Sequence, residues 1–195
     1  MRLDARPAAF IDRDGVINAE RNYVGRAEDF QVLPGVVDGL RLLAGCGYAL
    51  VIVTNQAGIA KGRYDEAAFD RLTQHMRRLF ANDGIAFAGV YHCPHHPEGS
   101  VARYAVDCDC RKPAPGMLLR AASDLTLDLS RSALVGDKVS DTQAGRAAGV
   151  RFTVLVDSGH LLPADAMNFA DHRCADLFAA AQWLCQSTRT PTSTP

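Results

Sequence analysis

The sequence predicts an α/β fold: a Rossmann-like three-layer sandwich with a mostly parallel central sheet and helices on both faces. Three observations point to it. Short apolar runs alternate with stretches of helical period along the whole chain. One of these runs, Tyr48–Val53, has no charged residue, as expected of a strand covered on both faces. Several runs end abruptly in polar or acidic residues (Asp12 and Asp14, Thr54 and Asn55, Asp137), and ligands of open parallel sheets bind outside the carboxyl ends of the strands.

Taken in order, Ala8–Ile11 reads as the first strand. Residues 16–33 hold no clear period and form a long loop directly after the acid pair; loops of that length are usually functional. Pro34-Gly35 opens a helix with Val36, Val37, Leu40, Leu42 and Leu43 as its apolar positions, closed by Gly45 and Gly47. Tyr48–Val53 is the second strand. Asp65 is placed to cap an amphipathic helix reaching Phe80, with Ala68, Phe69, Leu72, Met76 and Leu79 at helical spacing. Ile85–Tyr91 reads as the third strand, 92–112 as a loop rich in Cys, His and Pro, and Pro115–Leu125 as a helix. Ala133–Val135 is the fourth strand, Ser140–Ala148 a short helix ending at Gly149, and Arg151–Val156 the fifth strand. A last helix spans about Ala175 to Cys185. One domain is expected over 1–186, with a disordered Ser/Thr/Pro tail over 187–195.

Composition narrows the function classes. The 195 residues are 48% hydrophobic and 22% charged, enough for a full core. A net charge of −1 and 7% aromatics argue against a nucleic-acid-binding module, which would want a basic face with aromatics. The start, Met1 to Pro7, has no signal-like apolar segment, and no run is long enough to span a membrane. A cytoplasmic protein, a monomer, with no nucleic-acid or membrane partner is the expectation. Of the six cysteines, Cys46, Cys174 and Cys185 are scattered and read as packing residues.

The chemistry begins at Asp12-Arg13-Asp14-Gly15. Residues i and i+2 of a strand face the same side, so Asp12 and Asp14 leave the first strand toward one site. Two carboxylates that close repel, and oxygen-only ligands at a strand end suit Mg²⁺. Asp137, ending the fourth strand, supplies a further carboxylate, and Asp141 lies one helical turn beyond it, where it could orient water or Lys138. This set meets the needs of phosphoryl transfer, which depends on positioning and neutralising spread negative charge. Asp12 is the candidate nucleophile and Asp14 the candidate general acid and base. Thr54 and Lys112 are candidates to stabilise the phosphoryl group, together with backbone N–H groups of residues 54–56. Mg²⁺ would be held by Asp12, Asp14 through its carbonyl, and Asp137.

A second cluster is Cys93-Pro94-His95-His96 followed by Cys108-Asp109-Cys110. Three thiolates and one imidazole make a closed tetrahedral site for a structural Zn²⁺, with Cys93, His95, Cys108 and Cys110 as ligands. The intervening loop is polar, so the metal would supply its folding energy. Adjacent residues rarely reach one small ion together, which selects His95 over His96. Arg111-Lys112 follow the last ligand directly and would be carried to the active site by the loop.

Asp-x-Asp-Gly, then Val53-Thr54-Asn55, a lysine before a helix, and Gly136-Asp137-x-x-x-Asp141 resemble, in order and spacing from about 8 to 156, the four motifs of the haloacid dehalogenase superfamily. The short segments after the first two motifs leave no room for a cap domain, so the resemblance is to the capless branch. The runs Asp12–Asn18, Thr54–Ala60, Cys93–Pro97 and Cys108–Met117 resemble its zinc-containing sugar-bisphosphate phosphatases. That resemblance implies a heptose 1,7-bisphosphate losing its C7 phosphate, the beta anomer, in lipopolysaccharide core synthesis. It places Arg13, Glu20, Arg21, Asn22, Tyr23, Asn55, Gln56, Ala57, Arg111 and Lys138 against the substrate. Histidinol-phosphate phosphatases share the zinc loop and are the alternative; a nucleic-acid 3′-phosphatase or a non-catalytic module lies further off.

Overall fold

The computed structural model of the protein describes residues 5–189. Six strands, β1 (Ala8–Ile11), β2 (Ala49–Asn55), β3 (Gly89–Cys93), β4 (Ala133–Gly136), β5 (Phe152–Val156) and β6 (His172–Cys174), form one sheet in the order β3-β2-β1-β4-β5-β6. Every neighbouring pair is parallel. The helices are α1 (Val36–Gly45), α2 (Ala57–Ala60), α3 (Glu66–Ala81), α4 (Gly116–Leu125), α5 (Val139–Ala148) and α6 (Leu177–Arg189).

The pleat sorts the apolar strand residues onto two faces. Ala9 and Ile11 of β1 with Leu50 and Ile52 of β2 pack under α1, α3 and α6, where Leu40, Leu43, Leu72, Met76, Phe80 and Leu184 complete the core. Ala8 and Phe10 with Val51 and Val53 pack under α4 and α5 through Met117, Leu118, Ala121, Ala144 and Ala148. All four residues of β1 are buried, which is why that strand reads as a continuous apolar run. Asp65 caps α3, its carboxylate accepting from Ala68 N–H at 2.8 Å.

The order of the strands places the site. From β1 the chain steps outward to β2 and β3, then crosses back to β4 on the other side of β1. The crevice beyond the ends of β1 and β4 is therefore the topological switch point of the sheet. The residues leaving these strands are Asp12 and Asp137.

Several elements differ from the sequence expectation. β3 begins at Gly89 rather than Ile85, because Ile85 and Phe87 enter the core before the ladder starts. β2 continues through Thr54 and Asn55, which pair with His92 and Cys93. β6 is too short and polar for a periodic signal, and α2 has only four residues. α6 runs to Arg189, so 187–189 are helical and not a disordered tail; the rest of that tail lies outside the described residues. Cys46 and Cys185, read as packing residues, are joined by a disulfide between α1 and α6. Their separation of 139 residues carries no local signal, and only the packing of the two helices brings them together. Among the described residues, no helix is long and apolar enough to cross a membrane.

Candidate active site

Asp12 follows β1, and its N–H donates to Val135 O of β4 at 3.0 Å, so the chain is still tied to the sheet where the nucleophile sits. Gly15 then turns in the left-handed region, φ 89°, and a side chain there would strike the Asp137 carboxylate. The glycine thus serves both the turn and the close approach of the two strand-end carboxylates.

Behind Asp12 lies a buried charge triad. The Lys112 ammonium contacts Asp12 at 3.0 Å and Asp141 at 2.8 Å and donates to Val53 O at 2.8 Å. Both ion pairs are almost wholly excluded from water. One cation between two carboxylates does not neutralise both. Burial pushes Asp12 up to about 6 despite Lys112, with Asp141 and Asp14 adding to the rise. Burial alone would lower Lys112, but Asp12 and Asp141 outweigh it and hold the ammonium charged. Asp137 is also raised, by burial and then by Asp12.

This donor set fits a divalent cation. Carboxylate oxygens of Asp12, Asp137 and Asp141 lie within 4.8 Å of one another. Asp137 is fully buried, and its Oδ1 has no hydrogen-bond partner, an atom that a hard cation would satisfy. The Asp14 carboxylate does not belong to this group. Asp141 is already committed: it bonds Lys112 and accepts from the backbone N–H of Lys138 at 3.0 Å, a contact that caps α5.

The Asp14 carboxylate is held by three side chains. Arg13 reaches it through Nη2 at 2.9 and 3.0 Å and through Nε at 3.2 Å. Asn18 Nδ2 donates at 2.9 Å and Gln56 Nε2 at 3.0 Å. Two expected substrate contacts are corrected here. Arg13 is only 1% exposed and also donates to Val24 O at 2.8 Å and Gln56 Oε1 at 3.2 Å, so it faces the acid and the flap instead of the substrate. Gln56 is 2% exposed and spends its amide on Asp14 and Thr54. The spacing within Asp12-Arg13-Asp14 placed Arg13 near the chemistry but could not say which way its guanidinium turns.

Two connected spaces open on these groups. A small inner recess is lined by Asp12, Asp14, Thr54, Lys112, Lys138 and Asp141. The outer cleft, about 510 Å³, adds Asn22, Tyr23, Lys61, His96, Arg111 and His160. Glu20, Asn55, Gln56 and Ala57 also border it, Gln56 with its amide nitrogen already bonded to Asp14 and Thr54. Arg21 does not: it bonds Gln31 Oε1 at 2.6 Å on the outside of the flap. The flap itself (16–33) is anchored by buried Val16, Ile17, Val24 and Phe30 and is not a loose loop.

Lys61, Tyr64, His96 and His160 were missed as site residues. Lys61 and Tyr64 follow the second strand end, and His160 follows the fifth. The rule that ligands sit beyond strand ends was the available signal for all three. His160 accounts for more of Asp137: its ring nitrogen Nδ1 lies 2.6 Å from Asp137 Oδ2, and its N–H donates to the same oxygen at 3.0 Å.

The Cys/His cluster is assembled as expected. Sγ–Sγ separations among Cys93, Cys108 and Cys110 are 3.1, 3.4 and 3.5 Å. His95 Nδ1 lies 3.4 Å from Cys110 and 3.8 Å from Cys93. A tetrahedron with ordinary Zn–S and Zn–N bonds has edges of about 3.8 and 3.6 Å, so these four atoms fit the ion with little movement. His96 points elsewhere, accepting from Glu98 N–H at 3.1 Å and lining the cleft. His92, partly buried, packs on Phe69 with ring centroids 4.1 Å apart. Arg111 Nη1 donates to His95 O at 3.2 Å, so the cluster orients the cation beside it.

Carboxylates ending β1 and β4, a hydroxyl ending β2 and a buried lysine converge at the switch point of a parallel sheet. That arrangement defines a hydrolase of the haloacid dehalogenase type. A family model for HAD-hydrolase-like proteins matches residues 109–181. The D-glycero-beta-D-manno-heptose-1,7-bisphosphate 7-phosphatase of Salmonella typhi is 48% identical over 165 residues, covering 85% of this chain and 88% of that protein. The protein of the same name from Vibrio cholerae is 49% identical over 155 residues, covering 80% and 83%. The crystal structure of a D,D-heptose 1,7-bisphosphate phosphatase from B. bronchiseptica, in complex with magnesium and phosphate, superposes with a TM-score of 0.78 at 31% identity, covering 93% of this chain and 99% of that one. The chain belongs to the heptose-1,7-bisphosphate 7-phosphatase family of HAD-like hydrolases.

Proposed function

We propose that the protein removes the C7 phosphate of D-glycero-beta-D-manno-heptose 1,7-bisphosphate, in the synthesis of the ADP-heptose used for the lipopolysaccharide core. The observation that carries this reading is the division of cations along one cleft. Lys112 and Lys138 border the inner recess, where the transferred phosphoryl group meets Asp12. Lys61, His96 and Arg111 border only the outer cleft. Lys61 and Arg111 supply the positive charge there; desolvation lowers the His96 pKa, and Arg111 and Lys61 lower it further, so the imidazole beside them is neutral at neutral pH. A substrate with two phosphates uses both groups, and the cleft between them has room for a sugar. Histidinol phosphate, with a cationic far end, would meet this positive group unfavourably.

The chemistry follows from the positions of the side chains. Asp12 attacks phosphorus in line, the bond to the C7 oxygen breaks, and an aspartyl-phosphate forms. Asp14 gives its proton to the leaving alkoxide, then takes one from the water that attacks the acyl-phosphate, releasing inorganic phosphate and regenerating Asp12. Thr54 offers its hydroxyl to an equatorial phosphoryl oxygen, and Lys112, whose three N–H groups go to Asp12, Asp141 and Val53 O, stabilises the phosphoryl group by its charge. Asp12, Asp137 and the Asp14 carbonyl would hold Mg²⁺, which would supply charge screening between nucleophile and phosphate. Cys93, His95, Cys108 and Cys110 would hold a structural Zn²⁺, which would steady the loop that carries Arg111 and Lys112.

The test compares kcat/KM for both anomers of the bisphosphate and for histidinol phosphate, in the native protein and in Arg111→Ala. A preference of about 100-fold for the beta bisphosphate, roughly 2.7 kcal/mol of transition-state discrimination, is expected. Arg111→Ala should reduce the bisphosphate rate more than that of a monophosphate. Equal losses for both, or a preference for histidinol phosphate, would overturn the reading.

A further inference from the structure

Gln56 sits where two catalytic functions meet. It lies just past the end of β2, as the residue that precedes α2, and its amide reaches back to Thr54. Its Nε2 donates to Thr54 Oγ1 at 2.8 Å and to Asp14 Oδ2 at 3.0 Å. Its Oε1 accepts from Arg13 Nη2 at 3.2 Å and from the Tyr64 hydroxyl. A guanidinium can only donate, so the amide oxygen must face Arg13 and the amide nitrogen must face Thr54 and Asp14. Burial keeps the Tyr64 hydroxyl protonated, which agrees with its donating to the same oxygen. A flipped amide would lose its bonds to Arg13 and Asp14, so these two fix its orientation and with it the roles of the Thr54 and Tyr64 hydroxyls.

The consequence falls on Thr54. Because Gln56 donates to Oγ1, the hydroxyl keeps its own proton for another acceptor, and among the described residues it has none. Thr54 lines the inner recess beside Asp12 and Lys112. We propose that Gln56 is a positioning residue that fixes the Thr54 hydroxyl as a donor to the phosphoryl oxygens and aims the Asp14 carboxyl, so that phosphate binding and leaving-group protonation share one buried amide. The inference rests on the reading of Thr54 and Asp14 given above, and it assigns Gln56 no contact with the substrate.

Two nearly isosteric variants test it. Gln56→Glu keeps the shape and the acceptor for Arg13 and Tyr64, but its second oxygen takes the Thr54 proton and repels Asp14. Gln56→Met removes the donors without adding charge. The expected loss in kcat for the sugar phosphate is about 100-fold or more for Gln56→Glu and about 10-fold for Gln56→Met, within the range for general acid–base assistance, with little change in KM. The second readout is the leaving group. p-Nitrophenyl phosphate expels a phenolate that needs no proton, so the loss in kcat/KM for both variants should be about threefold smaller with it than with the alkyl phosphate, the remaining loss being the Thr54 part. A packing role alone would predict a similar loss with both substrates and a larger defect in Gln56→Met than in Gln56→Glu; either result, in variants that melt like the native protein, overturns the proposal. Native-like turnover in both variants also overturns it while leaving the phosphatase reading intact, whereas a native protein that hydrolyses neither substrate refutes the reading on which it rests.

Discussion

Lys112→Met isolates the buried triad. The native ammonium stands 3.0 Å from Asp12 and 2.8 Å from Asp141, with all three side chains almost inaccessible to water. Methionine is one atom shorter but follows the same unbranched path, so the change removes charge and hydrogen bonds with only a small loss of volume. Two carboxylates are then left buried without a cation. Removing one partner of a buried pair costs about 3–5 kcal/mol, because the other charge stays desolvated. For a chain of this size each kcal/mol moves Tm by about 2–4 °C, so a fall of roughly 6–20 °C is expected. The double variant Lys112→Met/Asp141→Asn should recover at least about 1 kcal/mol of that loss, since a neutral amide in place of the carboxylate needs no counter-charge. Both are measured by reversible chemical unfolding without added Mg²⁺, so that the divalent ion does not substitute for the ammonium. A single variant within about 0.5 kcal/mol of the native protein, or a double variant less stable than the single one, would refute the argument that desolvation dominates here.

Two further outcomes follow from the metal sites. Asp12, raised by burial to about 6 from an ordinary 3.8, binds a proton more tightly folded than unfolded, so its contribution to the metal-free protein weakens as pH rises across that interval. Mg²⁺ requires the ionised carboxylates, and it should therefore raise Tm more at pH 7.5 than at pH 5; an equal rise in scanning calorimetry at the two pH values would contradict this. Burial also pushes the Cys93 thiol up, so zinc uptake at neutral pH should release protons, and chelation should speed proteolytic cleavage between Cys93 and Cys110. An unchanged cleavage pattern after zinc loss would count against a structural metal there.

Much of the site was legible because its residues sit at positions that the chain marks locally. The acid pair follows an apolar run that ends without transition, and Asp137 ends another. Period 2 puts both members of the pair on one side before any tertiary contact is known. The Cys-x-His and Cys-x-Cys spacings likewise name four ligands, and the structure assembles those four. The less legible residues are those whose role depends on side-chain direction. Arg13 lies between the two acids, and its sequence position is equally compatible with binding substrate; its burial and its bonds to Asp14, Val24 and Gln56 decide otherwise.

The sequence by itself determined the alternating strands and helices, the two core faces of the sheet, the carboxylates at the strand ends and the ligand set of the Cys/His cluster. These are local properties, written in period, in chain breaks and in short spacings. Only the tertiary structure decided that Lys112 lies between Asp12 and Asp141, that His160 reaches Asp137 from the fifth strand, and that Lys61, His96 and Arg111 border one cleft. It also joined Cys46 to Cys185 through the packing of α1 on α6. The physical reason is common to all of these. They are contacts between residues far apart in the chain, set by the strand order and by which charges the core buries together, and neither leaves a pattern along the sequence.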